Sequence, residues 1–409
     1  MNNMKNKSIC VIGLGYIGLP TAALLANSGF KVSGVDIQQE TVQTINQGRI
    51  HIVEPALDIA VKEAIESENL KAYTNVQVSD VYMICVPTPF HKTTGTPKPN
   101  IDYVIQAAKS ISKHLKKGDL IIIESTSPVG TTEAVQKCIK DSGVDIDSIN
   151  FAYCPERVLP GQIMKELVEN DRIVGGIDKN STRLASDFYR TFVKGEVLET
   201  NAKTAEMCKL VENSSRDVSI AFANELSMIC DKEGINVWEL IQLANKHPRV
   251  NILQPGTGVG GHCIAVDPWF IVSRDEKNSR LIRTSREIND FKTNWVIEKI
   301  KIAIADINAK KNIKPKVACL GLAFKPDIDD LRESPALNIF EALKMQNYNV
   351  AAVEPNLKSY QGELITLDEI SDKDLVVVLV KHTAFVKYFQ TVNIANLEIL
   401  DFVGLTENY

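Results

Sequence analysis

Short apolar runs recur along the first part of the chain, at 8–12, 31–35, 81–86 and 120–124, each stopped by Gly, Pro or an acid. Helical patterns lie between them, and the first, 20–28, is closed by Gly29. Strands alternating with helices predict an α/β fold with a doubly wound, parallel sheet. From 201 to 233 there is neither Pro nor Gly, and Ala205, Cys208, Val211, Val218, Ala221, Phe222 and Leu226 recur with helical period. At 1.5 Å per residue such a helix is roughly 50 Å long, a length that suits joining domains or packing on a partner subunit. A second helical run covers 280–308. After a basic connector, 310–316, the alternation restarts, with strands at 317–322, 349–354, 375–380 and 397–401 and a helix at 335–344. The pattern predicts two doubly wound domains, 1–200 and 311–409, joined by a helical middle, 201–310.

Composition narrows the classes. The 409 residues carry a net charge of -5, which argues against a nucleic-acid partner. No apolar run approaches the ~20 residues that span a bilayer, so no membrane association is expected. The polar stretch 1–8 leads directly into a strand, with no signal peptide visible. The eight cysteines include no C-x-x-C pair, and no His/Cys cluster has metal-binding spacing. A reduced, cytoplasmic protein without a metal is the expectation.

Six segments carry chemistry. Gly13-Leu14-Gly15-Tyr16-Ile17-Gly18 follows a strand and opens a helix, and Asp36 ends the next strand, 23 residues after Gly13. In that context the glycines admit a pyrophosphate at the helix N-terminus, and the acid accepts from a ribose 2′-hydroxyl. A carboxylate there repels a 2′-phosphate, so NAD is expected rather than NADP. The loop 87–100, with Pro87 and Thr88, follows a strand's carboxyl end, where such sheets bind ligands. Next, Gly256-Thr257-Gly258-Val259-Gly260-Gly261-His262-Cys263 reads as a glycine loop that packing does not require, with a thiol at its end and Asp267 four residues on. A thiol so placed suits a nucleophile. Lys209 and Asn213 share a helix face at i and i+4. The stretch 153–161, with Glu156 held between prolines, is expected after the last strand of the first sheet. Finally, 321–335 offers Phe324, Lys325 and Arg332 at a strand's carboxyl end, suited to a base, a ribose and phosphates.

Taken in order, these segments resemble the UDP-glucose/GDP-mannose dehydrogenase family over nearly the whole chain. Segments 154–161, 169–176, 247–256 and 260–270 are similar to the branch acting on UDP-N-acetylmannosamine. The branch acting on UDP-N-acetylglucosamine tends to carry Ile-Pro-Leu-Asp-Pro where this chain has Ile264-Ala265-Val266-Asp267-Pro268. Thr257 departs from the Pro usual in the mannosamine branch. UDP-N-acetylglucosamine and UDP-glucose remain alternative substrates, and a catalytically silent nucleotide-sugar sensor is a further alternative.

The resemblance implies two Rossmann-like domains and a four-electron oxidation of a sugar C6 alcohol to a carboxylate, with two NAD+ consumed. It implies that Cys263 forms a thiohemiacetal and then a thioester, that Lys209 and Asn213 stabilise oxyanions, and that Asp267 is an acid/base partner. Glu156 then serves thioester hydrolysis, with Thr126 holding a water and lying near the cofactor. Arg157, Val158, Asn251, Gly256, Gly260, Phe324 and Lys325 fall at substrate positions, and Arg332 falls toward the NAD pyrophosphate. Arg249 reaches the substrate of a neighbouring subunit in a homodimer built on the long helix. His262 lowers the thiol pKa, shapes the sugar pocket or simply packs the loop. Cys85, ending the third strand run, is a candidate redox partner of Cys263.

Overall fold

The computed structural model describes residues 6–52, 54–91, 95–159, 161–261, 263–357, 360, 362, 364–392 and 397–406. They form two compact units, 1–211 with 269–274, and 212–268 with 275–409.

The first unit is built on an eight-stranded sheet. Its strands and helices are β1 (Ser8–Ile12), α1 (Gly18–Asn27), β2 (Lys31–Val35), α2 (Gln39–Asn46), α3 (Leu57–Glu66), β3 (Leu70–Tyr73), β4 (Val81–Ile84), α4 (Asp102–Ser112), β5 (Leu120–Ile123), α5 (Thr131–Asp141), β6 (Asn150–Tyr153), α6 (Ile163–Glu169), β7 (Arg172–Gly176), α7 (Lys179–Tyr189) and β8 (Val197–Asn201). The spatial order is β3-β2-β1-β4-β5-β6-β7-β8. Alternate residues of β1 serve opposite cores. Ile9 and Val11 pack with α1, while Cys10 and Ile12 pack with Tyr82, Val104 and Ile121. A sheet with both faces buried reads as an unbroken apolar run, which is why β4 and β5 were visible in the sequence. The order reverses beside β1, which is flanked by β2 and β4, and this is where ligands bind in such sheets.

Two sequence expectations are corrected here. The sheet does not end at Tyr153: β7 pairs antiparallel with β6, and β8 pairs parallel with β7. β7 lacks an apolar signature because it begins on the buried Arg172 and ends on Gly175-Gly176, and β8, at the sheet edge, runs Val-Leu-Glu-Thr-Asn with no residue fully buried. A Cβ at either glycine would stand within 2.4 Å of backbone at Asn201 or Thr182. The third strand run also ends sooner, at Ile84, so Cys85 lies just beyond it.

The long helix α8 (Ala202–Glu233) follows. The second unit continues with α9 (Val237–Ala244), α10 (Asp267–Arg274, which runs into the first unit), α11 (Arg280–Lys311), β9 (Lys316–Leu320), α12 (Pro335–Met345), β10 (Asn349–Val353), β11 (Leu375–Val378), α13 (Thr383–Thr391) and β12 (Ile399–Asp401). Its parallel sheet has the order β10-β9-β11-β12. Val317 and Cys319 face α11 and α12, and Ala318 and Leu320 face Phe385 and Phe389 of α13. At the end of β10, Glu354 accepts hydrogen bonds from the Leu322 and Ala323 N–H groups, and its other oxygen accepts from the Asn356 N–H. His382 Nδ1 faces the Asp327 N–H, which leaves Nε2 to donate to Glu354 at 3.1 Å. Among the described residues, no helix is long and apolar enough to cross a membrane.

Candidate active site

The turn after β1 separates three roles for its glycines. Gly13 has φ +90°, and a Cβ there would stand 2.7 Å from the Cys85 carbonyl oxygen. A Cβ at Gly18 would stand 1.8 Å from the Gly13 carbonyl oxygen. The fold itself therefore requires both. A Cβ at Gly15 meets nothing within 4 Å, so no packing explains that glycine. Open space beside a turn leading into a helix N-terminus is the cradle a pyrophosphate fits. Tyr16 is exposed and Ile17 half-buried at its rim. Asp36 is held by the Leu14 N–H at 3.1 Å and the Gln38 N–H at 2.9 Å, one to each oxygen. An ionised carboxylate has about four acceptor sites, so capacity remains for a ribose.

Next to this turn, the ends of β4 and β5 are tied together. Thr88 is buried and donates to the Thr126 carbonyl at 2.5 Å, while Pro87 is exposed and Thr126 half-buried. One residue past β5, the buried Glu124 accepts from Tyr189 Oη at 2.6 Å and from Cys85 Sγ at 3.3 Å. Burial and the Glu156 charge, opposed by Arg172, push its carboxyl up to about 7. Glu156 is only 6% exposed. It accepts from the Arg157 N–H at 2.6 Å and is paired with the buried Arg172 guanidinium. Arg157 reaches the Asp171 carbonyl at 2.5 Å, and Val158 is half-buried. Burial pushes the Cys85 thiol well up, and Glu124 and Glu156 add to the shift, so Cys85 is a hydrogen-bond donor and not a thiolate. All eight cysteines are free thiols.

On α8, Lys209 is buried and Asn213, one turn on, is half-buried. The structure brings Asn213 to Asp267, with Nδ2 donating to Oδ2 at 2.5 Å. Asp267 starts α10, and its N–H donates to the Cys263 carbonyl at 2.9 Å. That bond fixes the exposed Cys263 one helical turn from a buried carboxylate. His262 lies outside the described residues, as does Pro160 of the 153–161 stretch.

The glycine loop corrects another expectation, because packing does require it. A Cβ at Gly258 would stand 2.5 Å from Thr293 Oγ1, and one at Gly260 2.6 Å from the Glu333 carbonyl. At Gly261, with φ +79°, it would stand 2.8 Å from the Phe324 ring. Gly256 alone of the loop's glycines faces open space, and its N–H donates to Asn224 at 2.9 Å. Asn224 belongs to a buried network in which Asn289 binds Asn224 and Asp217, and Asp217 pairs with Arg286. This network, absent from the sequence reading, fixes the loop from α8 and α11. A cavity of about 330 Å³ opens beside it, lined by Pro255, Gly256, Phe324, Val380, Lys381 and Trp238 among others. It sits at the carboxyl ends of β9 and β11, where a doubly wound sheet binds ligands. Lys325 is exposed nearby in sequence, and Arg332 is exposed with its side chain bidentate on Asp330. Arg249 and Asn251 are exposed on the segment 247–251 and do not line the cavity.

Comparison with known proteins matches the three successive parts of one family. Its NAD binding domain covers residues 7–193, its central domain 203–291 and its UDP binding domain 318–403. The UDP-N-acetyl-D-mannosamine dehydrogenase of Campylobacter jejuni is 54% identical over 94% of this chain and 97% of its own. The protein of that name in Escherichia coli K12 is 52% identical over 98% of this chain and 100% of its own. A solved UDP-N-acetyl-mannosamine dehydrogenase from Staphylococcus aureus superposes with a TM-score of 0.86 at 41% identity, covering 98% of this chain and 100% of that one. With the turn at Gly15 open for a pyrophosphate and Asp36 ready for a ribose, the cofactor is NAD. With its open dinucleotide turn, its thiol–carboxylate loop and all three successive domains, the chain belongs to the UDP-glucose/GDP-mannose dehydrogenase family.

Proposed function

We propose that the chain oxidises the C6 alcohol of UDP-N-acetylmannosamine to the carboxylate through a thioester on Cys263. The observation that carries the chemistry is the Asn213–Asp267–Cys263 arrangement, which joins an amide donor, a buried acid and an exposed thiol. The relatives named above support the choice of sugar.

The Gly13–Gly18 turn and Asp36 would hold NAD, which would supply the hydride acceptor. Lys209 and Asn213 donate to the C6 oxygen as negative charge develops on it, the differential stabilisation that lowers a barrier. Asp267 takes the proton from the C6 hydroxyl. The Cys263 thiol adds to the aldehyde and keeps it bound, and its thiohemiacetal is the species oxidised to the thioester. Glu156 receives a proton from the water that cleaves the thioester, with Thr126 orienting that water. Arg157, Val158, Gly256, Gly260, Phe324 and Lys325 bind the nucleotide sugar, and Arg332 and Thr88 serve the cofactor side. The division of labour follows 1–200, 201–310 and 311–409.

A homodimer is part of the proposal. α8 exposes Met207, Val211, Phe222 and Ile229, which its period places within about 60° on one face. An apolar stripe of this kind is what a subunit contact covers, and Arg249 would then serve the neighbouring subunit's substrate. The eight free thiols suit a reducing cytoplasm.

The test is NADH release by purified protein given NAD+ and, separately, UDP-N-acetylmannosamine, UDP-N-acetylglucosamine and UDP-glucose. The expected result is two NADH per sugar with the mannosamine compound at the highest kcat/KM. One NADH per sugar, or faster turnover of either alternative, overturns the proposal. Light scattering of the same sample should give twice the chain mass, and a monomer removes the dimer.

A further inference from the structure

We propose that Glu124 is the proton-holding partner of Glu156, so that the two carboxylates act as one acceptor for the proton released when water cleaves the thioester. This rests on the role given to Glu156 above. Glu124 acts through its neighbour and is a positioning residue.

The geometry is that of two buried carboxylates sharing one cation. Arg172 pairs with Glu156 and lies over the Tyr189 ring at 5.7 Å, and Tyr189 in turn donates to Glu124. The titratable groups facing Glu124 are Cys85 beyond β4, Cys154 and Glu156 beyond β6, Arg172 on β7 and Tyr189 on α7. Only Arg172 among them is a cation. With both carboxylates ionised, the cluster carries one uncompensated negative charge in a water-poor site, a state that favours proton uptake. Cys154 is pushed up to about 12 by burial, partly offset by Arg172, and Tyr189 is also pushed well up. Both therefore keep their own protons. Glu124, pushed up to about 7, is the group of the cluster that exchanges one near neutrality.

The step balances. One O–H bond of water breaks and its proton goes to the carboxylate pair, while the oxygen adds to the thioester carbonyl carbon. The C–S bond then breaks, and the remaining hydroxyl proton passes to the departing sulfur. The products are the sugar carboxylate, the Cys263 thiol and a singly protonated cluster. Because Glu124 carries the excess charge, uptake does not need to break the Arg172–Glu156 pair.

The experiment follows decay of the thioester on Cys263 by rapid quench and intact-protein mass, at pH values on both sides of 7, after loading with NAD+ and UDP-sugar. Wild type should show decay that quickens as the cluster ionises, with an inflection near 7. In Glu124→Gln, which keeps the shape and removes the charge, decay should slow roughly tenfold or more, and the inflection should vanish. Glu124→Asp should restore the inflection. Tyr189→Phe removes a donor that favours ionised Glu124, so its inflection should move to higher pH while the decay rate above it is kept. This second variant decides the matter if Glu124→Gln does not fold. A Glu124→Gln profile that superimposes on wild type, or an unmoved inflection in Tyr189→Phe, overturns the proposal. Glu156→Gln separates the two ideas. Prompt decay in that variant sinks the role of Glu156 itself. Accumulation there with normal decay in Glu124→Gln sinks only the present inference.

Discussion

Alanine at each glycine of the first turn separates what the fold needs from what the cofactor needs. At position 18 a Cβ would lie 1.8 Å from the Gly13 oxygen and 2.9 Å from its carbonyl carbon. Normal contact then requires the turn to open by more than about an ångström, and overpacking of that kind costs roughly 1–3 kcal/mol or more. At position 15 the backbone is not left-handed, and the new methyl meets nothing within 4 Å. Gly→Ala at such a site stabilises by about 0.4–1 kcal/mol, through a stiffer unfolded chain. With about 2–4 °C per kcal/mol, Gly18→Ala should melt several degrees below wild type, and Gly15→Ala at or slightly above it. NAD+ at about a hundredfold over its Kd adds about 2.7 kcal/mol of stability to a protein that binds it. Wild type should therefore melt about 5–10 °C higher with NAD+. Gly15→Ala should not, because its methyl fills the space the pyrophosphate needs. The assay is a thermal melt with and without NAD+, with calorimetric titration of the folded variants. A Gly15→Ala protein that keeps the NAD+ shift, or that melts as low as Gly18→Ala, refutes the division of roles.

Asp36→Ala should lower the ratio of kcat/KM for NAD+ over NADP+, because it removes the ribose acceptor and the charge that repels a 2′-phosphate. Equal use of both cofactors by wild type would show that Asp36 has no such role. Cys263→Ala should form no sugar carboxylate, and Cys263→Ser should stall at or after the aldehyde, checked by NADH stoichiometry and product mass. Lys292 is buried, 2.7 Å from Ser227 Oγ, and desolvation pulls its pKa from 10.5 down to about 7, with Asp231 opposing. The unfolded chain thus binds this proton more tightly, and wild-type stability gains from rising pH between about 7 and 10.5. Lys292→Met should hold its greatest advantage in melting temperature at or below pH 7, narrowing as pH rises through that window. Parallel melting curves across the window would show that Lys292 is not desolvated.

Features set by neighbours in the chain were legible beforehand. The β1–turn–α1 unit is consecutive, and Lys209 and Asn213 are brought to one face by helical period alone. Contacts made by folding were not. Asn213 meets Asp267 across 54 positions. Glu124 had looked like the polar end of a strand, and only folding brings Tyr189 to it from 65 positions away. The misread glycine loop teaches the same point: its glycines answer to Phe324 and Pro335, partners that no local pattern reveals. The strand β7 escaped notice because a buried arginine and a glycine pair break the apolar run on which strand reading depends, and β8 because it is a short edge strand with most of its length polar and no residue fully buried.

The two units each end their second strand on a carboxylate, and the two carboxylates differ in saturation. Asp36 accepts two backbone N–H bonds, so about half of its acceptor sites remain. Glu354 accepts from Leu322, Ala323, His382 and Asn356, which fills about all four. A dinucleotide needs an acid with spare valence at this position, and the second unit has none to offer a ribose. The acid after the second unit's second strand is thus spent on its own fold, and of the two carboxylates Asp36 is the one with room for a dinucleotide's ribose.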